Sequence, residues 1–466
     1  MNNSRLSIHD SALALLDEIW RAAGGAPEVV AGARMAGEGD LPSVFATTDL
    51  AAASVGAAGA AIAELIAARF GDGPGFSVDR RLASFWFSMS VRPVGWELPP
   101  AWDAVAGDYA AADGWIRLHT NAPHHRVAAL TVLGVPADKA QVEKAVASWR
   151  ADALESAVVE AGGCAARMRS VDAWAAHPQG RAVAGESLLH VMPQAEGPRA
   201  SWMDQAAQQR ARPLAGVRVL DLTRILAGPV ATRFLAGFGA DVLRLDPLDW
   251  DEPSLAPEIT LGKRCARLDL RAAGGRARFE QLLQGADVLV HGYRSDALAR
   301  LGFDEAKRQQ LRPGLVDVSL DAYGHTGPWR ARRGFDSLVQ MSCGIAEAGM
   351  RLWNKEKPTP LPVQALDQAT GYLMACAAVR GLTRRLRDGR GSITRASLAR
   401  TAGLLTGALV VAHGELAKES AADYMAALEA TAWGPAHRLL PPLSVEGAPM
   451  RWDRPAGPLG AAPAAW

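Results

Sequence analysis

The chain has 466 residues, 49% of them hydrophobic, which exceeds one ordinary core and sets two domains or more as the expectation. Its 50 basic and 49 acidic residues leave a formal net charge of +1, spread without blocks, which excludes the basic footprint of a nucleic-acid binder. The four cysteines, Cys164, Cys265, Cys343 and Cys376, stand far apart with no C-x-x-C pair, so the pattern argues against a disulfide framework or a zinc site and fits a reducing cytosol.

Residues 1–20 read as an amphipathic helix; Asp10, Asp17 and Glu18 interrupt any apolar run, so a signal peptide is not expected. Residues 21–40 are Gly- and Ala-rich and read as loop. A long helix follows over 49–70, with Thr47 and Thr48 as capping candidates and Gly71 to Gly75 as its stop. The most apolar stretches, 50–68 and 403–413, read as packed helix rather than membrane spans: the first holds Glu64 and is mostly Ala and Gly, and the second is too short.

Residues 96–190 read as a small α+β unit. Asp113-Gly114 is a turn, 115–119 a short strand, and 125–133, 138–149 and 151–161 are helical. His124 and His125 lie ahead of the first of these helices, and no further ligands accompany them, so no metal site is expected. Residues 191–211, with Pro193 and Pro198, read as a linker. From Arg212 strands alternate with helices: strands at 217–222, 241–245, 287–291 and 315–320, helices from Gly228-Pro229 to about 239, at 273–284 and at 296–300. Such alternation predicts a parallel sheet covered by helices, with ligands bound beyond the carboxyl ends of the strands. Residues 438–466 are Pro-rich and read as an extended wrap.

Two stretches repeat. Leu41-Pro42 leads to Asp49, and Leu361-Pro362 leads to Asp367. Each Asp opens a small-residue helix that ends in a G-x-G, Gly73/Gly75 in one and Gly389/Gly391 in the other, followed by Leu82-Ala83 and Leu398-Ala399. Only the second copy has the β–α alternation ahead of it.

The run 213–223 with Leu226-Ala227-Gly228-Pro229 resembles the opening of the family III CoA-transferases, the CaiB–BaiF family. Further matches follow in order: Gly239-Ala240-Asp241-Val242, Gly262-Lys263-Arg264, Leu268-Asp269-Leu270, 286–290, Leu301-Gly302 and 323–328. Asp113-Gly114-Trp115 and 176–181 are similar to that family's small domain, which here precedes the large one. The resemblance implies an α/β fold, with a Rossmann-like large domain and a smaller α+β domain. The expected division is 1–95, a partial repeat of the large-domain helical segment; 96–190, the small domain; 191–211, the linker; 212–437, the CoA-binding large domain; and 438–466, the wrap.

The resemblance also assigns roles. Asp367 falls on the family's catalytic aspartate. As a nucleophile it attacks a thioester carbonyl, and the thiolate of coenzyme A then returns to give an aspartyl-CoA thioester, from which an acceptor acid takes the coenzyme. Remote contacts to coenzyme A supply binding energy, and a helix N-terminus beside the carboxylate favours its charged form. Ala227 is expected where the backbone approaches the nucleotide, Lys263 at a phosphate, Arg300 and Tyr293 near the coenzyme, and Tyr323 beside the thioester. Read bare, Asp367 is a helix N-cap; Asp49 reads better as a capping remnant than as a second nucleophile. Lys263 and Arg300 read bare as surface charges, and Tyr293 as core.

Departures from the family pattern are Leu226 for Gln, Gly292 for Asn, Ser295-Asp296 for Pro-Gly, and the lack of a glycine run. Racemisation of a 2-methylacyl-CoA, the alternative within the family, uses a His in Gly-His-Asp; Gly334-Phe335-Asp336 has no proton carrier at its middle position. A non-catalytic acyl-CoA-binding protein is the other alternative. A nicotinamide enzyme is disfavoured because no G-x-G-x-x-G follows the first strand. The implied partners are an acyl-CoA and a carboxylic acid, with no tightly bound cofactor, no metal, no nucleic acid and no membrane, in the cytoplasm. Family members form interlocked homodimers, so a homodimer is the expected assembly, although the domain order read here has the chain passing between domains only once.

Overall fold

The computed structural model describes residues 8–199, 201–204, 210–293, 296–407 and 414–466. Helix α1 (Ile8–Ala22) lays Leu16, Ile19 and Trp20 into the core. Strand β1 (Arg34–Ala36) precedes α2 (Thr47–Phe70), then β2 (Phe76–Asp79) and α3 (Arg80–Trp86). Alanine and glycine fill α2, so neighbours approach it on all sides, and residues 47–66 are buried throughout. By length and composition α2 is apolar enough to cross a membrane; here other helices surround it. Thr47 and Thr48 do not cap it. Thr48 Oγ1 instead accepts from Leu41 N at 2.9 Å.

After β3 (Val91–Pro93), a small unit forms around β4 (Gly107–Ala111), β5 (Gly114–Leu118) and β6 (Ala165–Arg167), an antiparallel sheet in the order β4-β5-β6. Helices α4 (Pro123–Leu133), α5 (Lys139–Val146) and α6 (Ala151–Glu160) cover one face over a core of Tyr109, Ile116, Val142, Leu154 and Val158. Two short helices, α7 (Val171–Ala176) and α8 (Pro178–Ala184), lead to β7 (His190–Glu196).

The large unit alternates strand and helix: β8 (Arg218–Leu222), α9 (Ala227–Gly237), β9 (Asp241–Asp246), α10 (Ala256–Ile259), β10 (Lys263–Arg267), α11 (Ala273–Gln284), β11 (Val288–His291), α12 (Ala297–Arg300), α13 (Glu305–Leu311) and β12 (Val316–Asp321). Helices α14 (Asp336–Ser342), α15 (Ile345–Leu352) and α16 (Ala365–Asp388) precede β13 (Arg390–Ser397) and α17 (Leu398–Thr406). The sheet runs β10-β9-β8-β11-β12-β13-β7, parallel except for β7. Val219, Val288, Val290, Val316 and Val318 face the core shared with α2, α9 and α16, while Leu220, Leu243 and Leu289 face α11. Both faces are covered, as a parallel sheet requires.

The two repeated stretches have the same local structure. Helices α2 and α16 have 24 residues each, pack against one another and end on a left-handed glycine, Gly71 (φ 95°) and Gly389 (φ 75°). The structural partner of Gly389 is therefore Gly71, not Gly73. Each helix leads into a strand and then another helix whose N-cap side chain, Asp79 or Ser397, accepts from the backbone three residues on. A buried ion pair, Arg380 Nε to Glu64 Oε2 at 3.0 Å, ties α16 to α2.

The chain crosses between these halves in both directions. Strand β7, which follows the small unit, pairs antiparallel with β13 and closes the edge of the large sheet. Beyond α17, β14 (Glu429–Thr431) and β15 (Gly434–Arg438) pair back onto β3, and β16 (Leu443–Val445) pairs antiparallel with β2. Each half thus receives an edge strand from the other. This corrects two expectations: 190–196 is a sheet strand rather than linker, and the crossing is not single. The last residues run over the large unit, where Trp452 Nε1 donates to Arg233 O and Trp466 Nε1 to Leu282 O, and the Trp452 ring stacks on Trp86 of α3 at 5.6 Å.

Candidate active site

A cavity of about 800 Å³ opens beyond the carboxyl ends of β8, β9 and β11, between the large sheet and the small unit. Asp367 lies in its wall. It is the third residue of α16, not the N-cap, which is Gln364. Asp336, the first residue of α14, takes the capping role from outside the helix: its Oδ2 accepts from Asp367 N at 2.9 Å. Gln340 holds the other oxygen of Asp336 and accepts from Leu361 N at 2.7 Å. Among the described residues no hydrogen bond or ion pair reaches the carboxylate of Asp367. Burial pushes its pKa well above the usual carboxylate range, and the charge of Asp336 pushes the same way. The expected favouring of the charged form by the helix end is outweighed here, first by burial and then by the Asp336 charge at that end.

Asp49 has the same position, third in α2, and a different environment. Arg80, the first residue of α3, places Nη2 at 2.6 Å and Nε at 3.2 Å from its Oδ1, and Ser11 Oγ donates to Oδ2 at 2.6 Å. Asp49 is thus an ion-pair residue rather than a cap. The helix after the second copy, α17, opens instead with Leu398, which lines the cavity alongside Asp367. An arginine neutralises one aspartate, and a leucine stands at the same place beside the other, which has no counter-ion among the described residues.

The loop between β8 and α9 forms the cavity floor. Ile225 is held at φ 65°, a costly conformation for a β-branched residue, with its N–H on Glu252 Oε1 at 2.6 Å. That turn brings Ala227 and Gly228 to the cavity. Gly371 lets α16 approach: a Cβ there would meet Ala227 O at 2.5 Å. Arg224 is layered between Trp250 and Tyr293, 4.7 and 5.4 Å from their centroids. Arg271, Arg333 and His124 also face the cavity, and among the described residues Arg224, Arg271 and Arg333 have no carboxylate partner. This unpaired positive charge suits phosphate groups.

Of the positions anticipated from sequence, Asp367, Ala227, Tyr293 and Arg300 line this one cavity. Arg300 is exposed at the mouth and pairs with Asp296; Ser295 lies outside the described residues. Lys263 does not reach it. Its side chain is fully enclosed, with Nζ 3.0 Å from Asp221 Oδ2 and 2.9 Å from Pro229 O, so the expected phosphate contact is replaced by an internal ion pair. Tyr323 is buried behind the wall. Its hydroxyl meets Ser342 Oγ at 3.1 Å, and its ring packs on Trp329, so it supports the loop rather than lining the cavity.

Sequence reasoning missed Arg224, Arg333 and Asp336. Arg224 had a signal, a cation one residue from the strained turn, but its aromatic neighbours are 26 and 69 residues away. Nor did sequence show that the small unit presents histidines at Phe335. His119 stacks on that ring at 3.8 Å, and His125, which lines the cavity, meets it edge-on at 5.8 Å. Burial lowers both, to about 3 and about 4, so both imidazoles are neutral at pH 7. Phe335 thus belongs to an aromatic stack joining the units. Among the described residues no group of His, Cys, Asp and Glu is arranged to hold a metal ion.

Fold and site together define an α/β protein with a cation-lined crevice and an unpaired carboxylate in its wall. Residues 214–435 match the model of CoA-transferase family III. It is 31% identical over 222 residues to an "Acyl-CoA transferase" of Fusarium pseudograminearum, covering 42% of this chain and 47% of that protein. It is 29% identical over 247 residues to a "Succinyl-CoA:glutarate CoA-transferase" of Mus musculus, covering 50% and 53%. The chain spans about half the length of the curated relatives it matches. A CaiB/BaiF family protein from Brucella suis aligns with a TM-score of 0.38 at 28% identity, over 41% of this chain and 55% of that one.

Proposed function

We propose that the protein transfers coenzyme A from an acyl-CoA to a free carboxylic acid, with Asp367 as nucleophile. The observation that carries this reading is the contrast of two aspartates in one helical position: Asp49 closed by Arg80, and Asp367 in a cavity wall with no counter-ion among the described residues. Relatives named for CoA transfer support it.

In this reading an Asp367 oxygen bonds to the thioester carbonyl carbon, and the carbon–sulfur bond breaks to release the thiolate. The thiolate attacks the Asp367 carbonyl of the resulting anhydride and frees the first acid, leaving aspartyl-CoA. The acceptor carboxylate reverses the two steps. Asp336 fixes the backbone of Asp367 and so orients its side chain. Arg224, Arg271, Arg300 and Arg333 hold the phosphates, and Tyr293 with Trp250 offers flat surfaces to the nucleotide.

Trapping tests the proposal. The chain is incubated with a panel of acyl-CoAs, treated with hydroxylamine or borohydride, and digested. The label is expected on the peptide 361–380. Label confined to the peptide carrying Asp49, or transfer undiminished in Asp367→Asn, would overturn the assignment.

A further inference from the structure

Helix α4 of the small unit puts His125 into the wall of the Asp367 cavity. The residue is 4% exposed, and its Nδ1 has no hydrogen-bond partner among the described residues. A buried nitrogen without a partner is costly unless a ligand completes it. Two contacts set the ring. Nε2 is 3.6 Å from Cys164 Sγ, and the ring meets Phe335 edge-on at 5.8 Å. Phe335 lines the same cavity and precedes Asp336, whose carboxylate accepts from Asp367 N at 2.9 Å. His125 and Asp367 therefore face one space from different units, linked through two consecutive residues.

The chemistry of the ring follows from its neighbours. Burial raises the Cys164 thiol to about 12, so it keeps its proton. A thiol that donates to Nε2 places the ring proton on Nδ1. Burial first, then His124 and Arg333, lowers His125 to about 4, so the ring is neutral at pH 7. Neutrality matters beside Asp367. An imidazolium would close on that carboxylate as Arg80 closes on Asp49, whereas a neutral N–H can polarise a carbonyl without capturing the nucleophile.

We propose that His125 is a further catalytic residue: its Nδ1–H donates to the thioester carbonyl oxygen of the acyl-CoA, and Cys164 fixes the tautomer that allows it. The assignment rests on the transfer reading. As an Asp367 oxygen bonds to the carbonyl carbon, the carbon–oxygen π pair moves onto the carbonyl oxygen, and the hydrogen bond from Nδ1 strengthens. The pair returns when the carbon–sulfur bond breaks and its electrons leave with the thiolate. No proton moves, so His125 serves as an oxyanion donor and not as an acid or base.

The test uses the full chain with His125→Leu, His125→Asn and His125→Gln. An asparagine amide reaches about as far as Nδ1, a glutamine amide about as far as Nε2. His125→Leu is expected to lower kcat about a hundredfold, with the KM for acyl-CoA within about twofold. His125→Asn is expected to recover about tenfold of that loss, and His125→Gln none. Infrared difference spectra then read the contact without turnover, using an isotope-labelled thioester carbonyl bound to Asp367→Asn. The carbonyl stretch is expected to rise when His125→Leu is added to that background. An unchanged kcat in His125→Leu, greater recovery in His125→Gln than in His125→Asn, or a carbonyl stretch indifferent to His125→Leu would overturn the proposal. So would exchange of the acyl α-proton in deuterium oxide that depends on His125, because it would make the ring a proton carrier. A carbonyl shift that needs His125 in a chain with no transferase activity would sink the transfer reading and keep the contact.

Discussion

Asp367 carries a burden that its twin does not. Its pKa is raised by burial and by Asp336, so folding favours the protonated form. The sign of the linkage follows. A carboxyl whose folded pKa exceeds its unfolded value contributes stability at low pH, and loses it as pH rises through the folded value. Asp367→Asn should therefore melt higher than wild type at neutral pH, a gap that narrows as pH falls and closes below about pH 4, as the unfolded carboxyl also becomes protonated. Thermal scans at neutral pH and at about pH 3 check this. Asp336→Asn removes the neighbouring charge while keeping an acceptor for Asp367 N. The acid limb of the transfer-rate profile should then move to lower pH. Leu398→Arg should imitate Arg80, giving a folded protein that binds coenzyme A but does not transfer it. The sequence marks both aspartates equally. What separates them is one side chain opening the following helix, and no spacing rule says that Arg80 turns inward while Leu398 leaves the cavity open.

At the scale of elements, the parallel strands, their helices and the small α+β unit were legible, because period-two runs and turn residues mark them directly. Strand β7 was not. Its sequence, with Pro193 in the middle and mixed exposure, reads as linker; proline is tolerated there because β7 is an edge strand that a partner from another part of the chain must define. Helix pairing was equally hidden: α2 and α16 show alanine and glycine, and only contact reveals which small residue faces what. Gly371 is the sharpest case. Gly371→Ala forces α16 from Ala227 and Val230, so it should destabilise by about 1–3 kcal/mol in a denaturant titration and lower kcat by moving Asp367 away from the floor.

Glu258 ties the whole molecule together. It is fully enclosed and meets Arg233 of α9, Arg438 of β15 at 3.1 Å and Ser90 ahead of β3 at 2.9 Å. Glu258→Gln leaves the buried Arg233 guanidinium without its charge partner, while Arg438 keeps Glu429 at 2.7 Å. The expected loss is about 3–5 kcal/mol, read by chemical unfolding, because a broken buried pair costs more than the pair itself contributes. The reciprocal edge strands carry a wider consequence. A backbone cut between β7 and β8 divides the covalent chain but not the folded object, since β7 stays in the downstream sheet and β16 stays in the upstream one. Such a nicked protein should migrate as one species on a native gel and as two under denaturing conditions. Produced separately, the two fragments should each stay unfolded until mixed, which makes the chain an obligate pair of complementing pieces that happen to share one backbone.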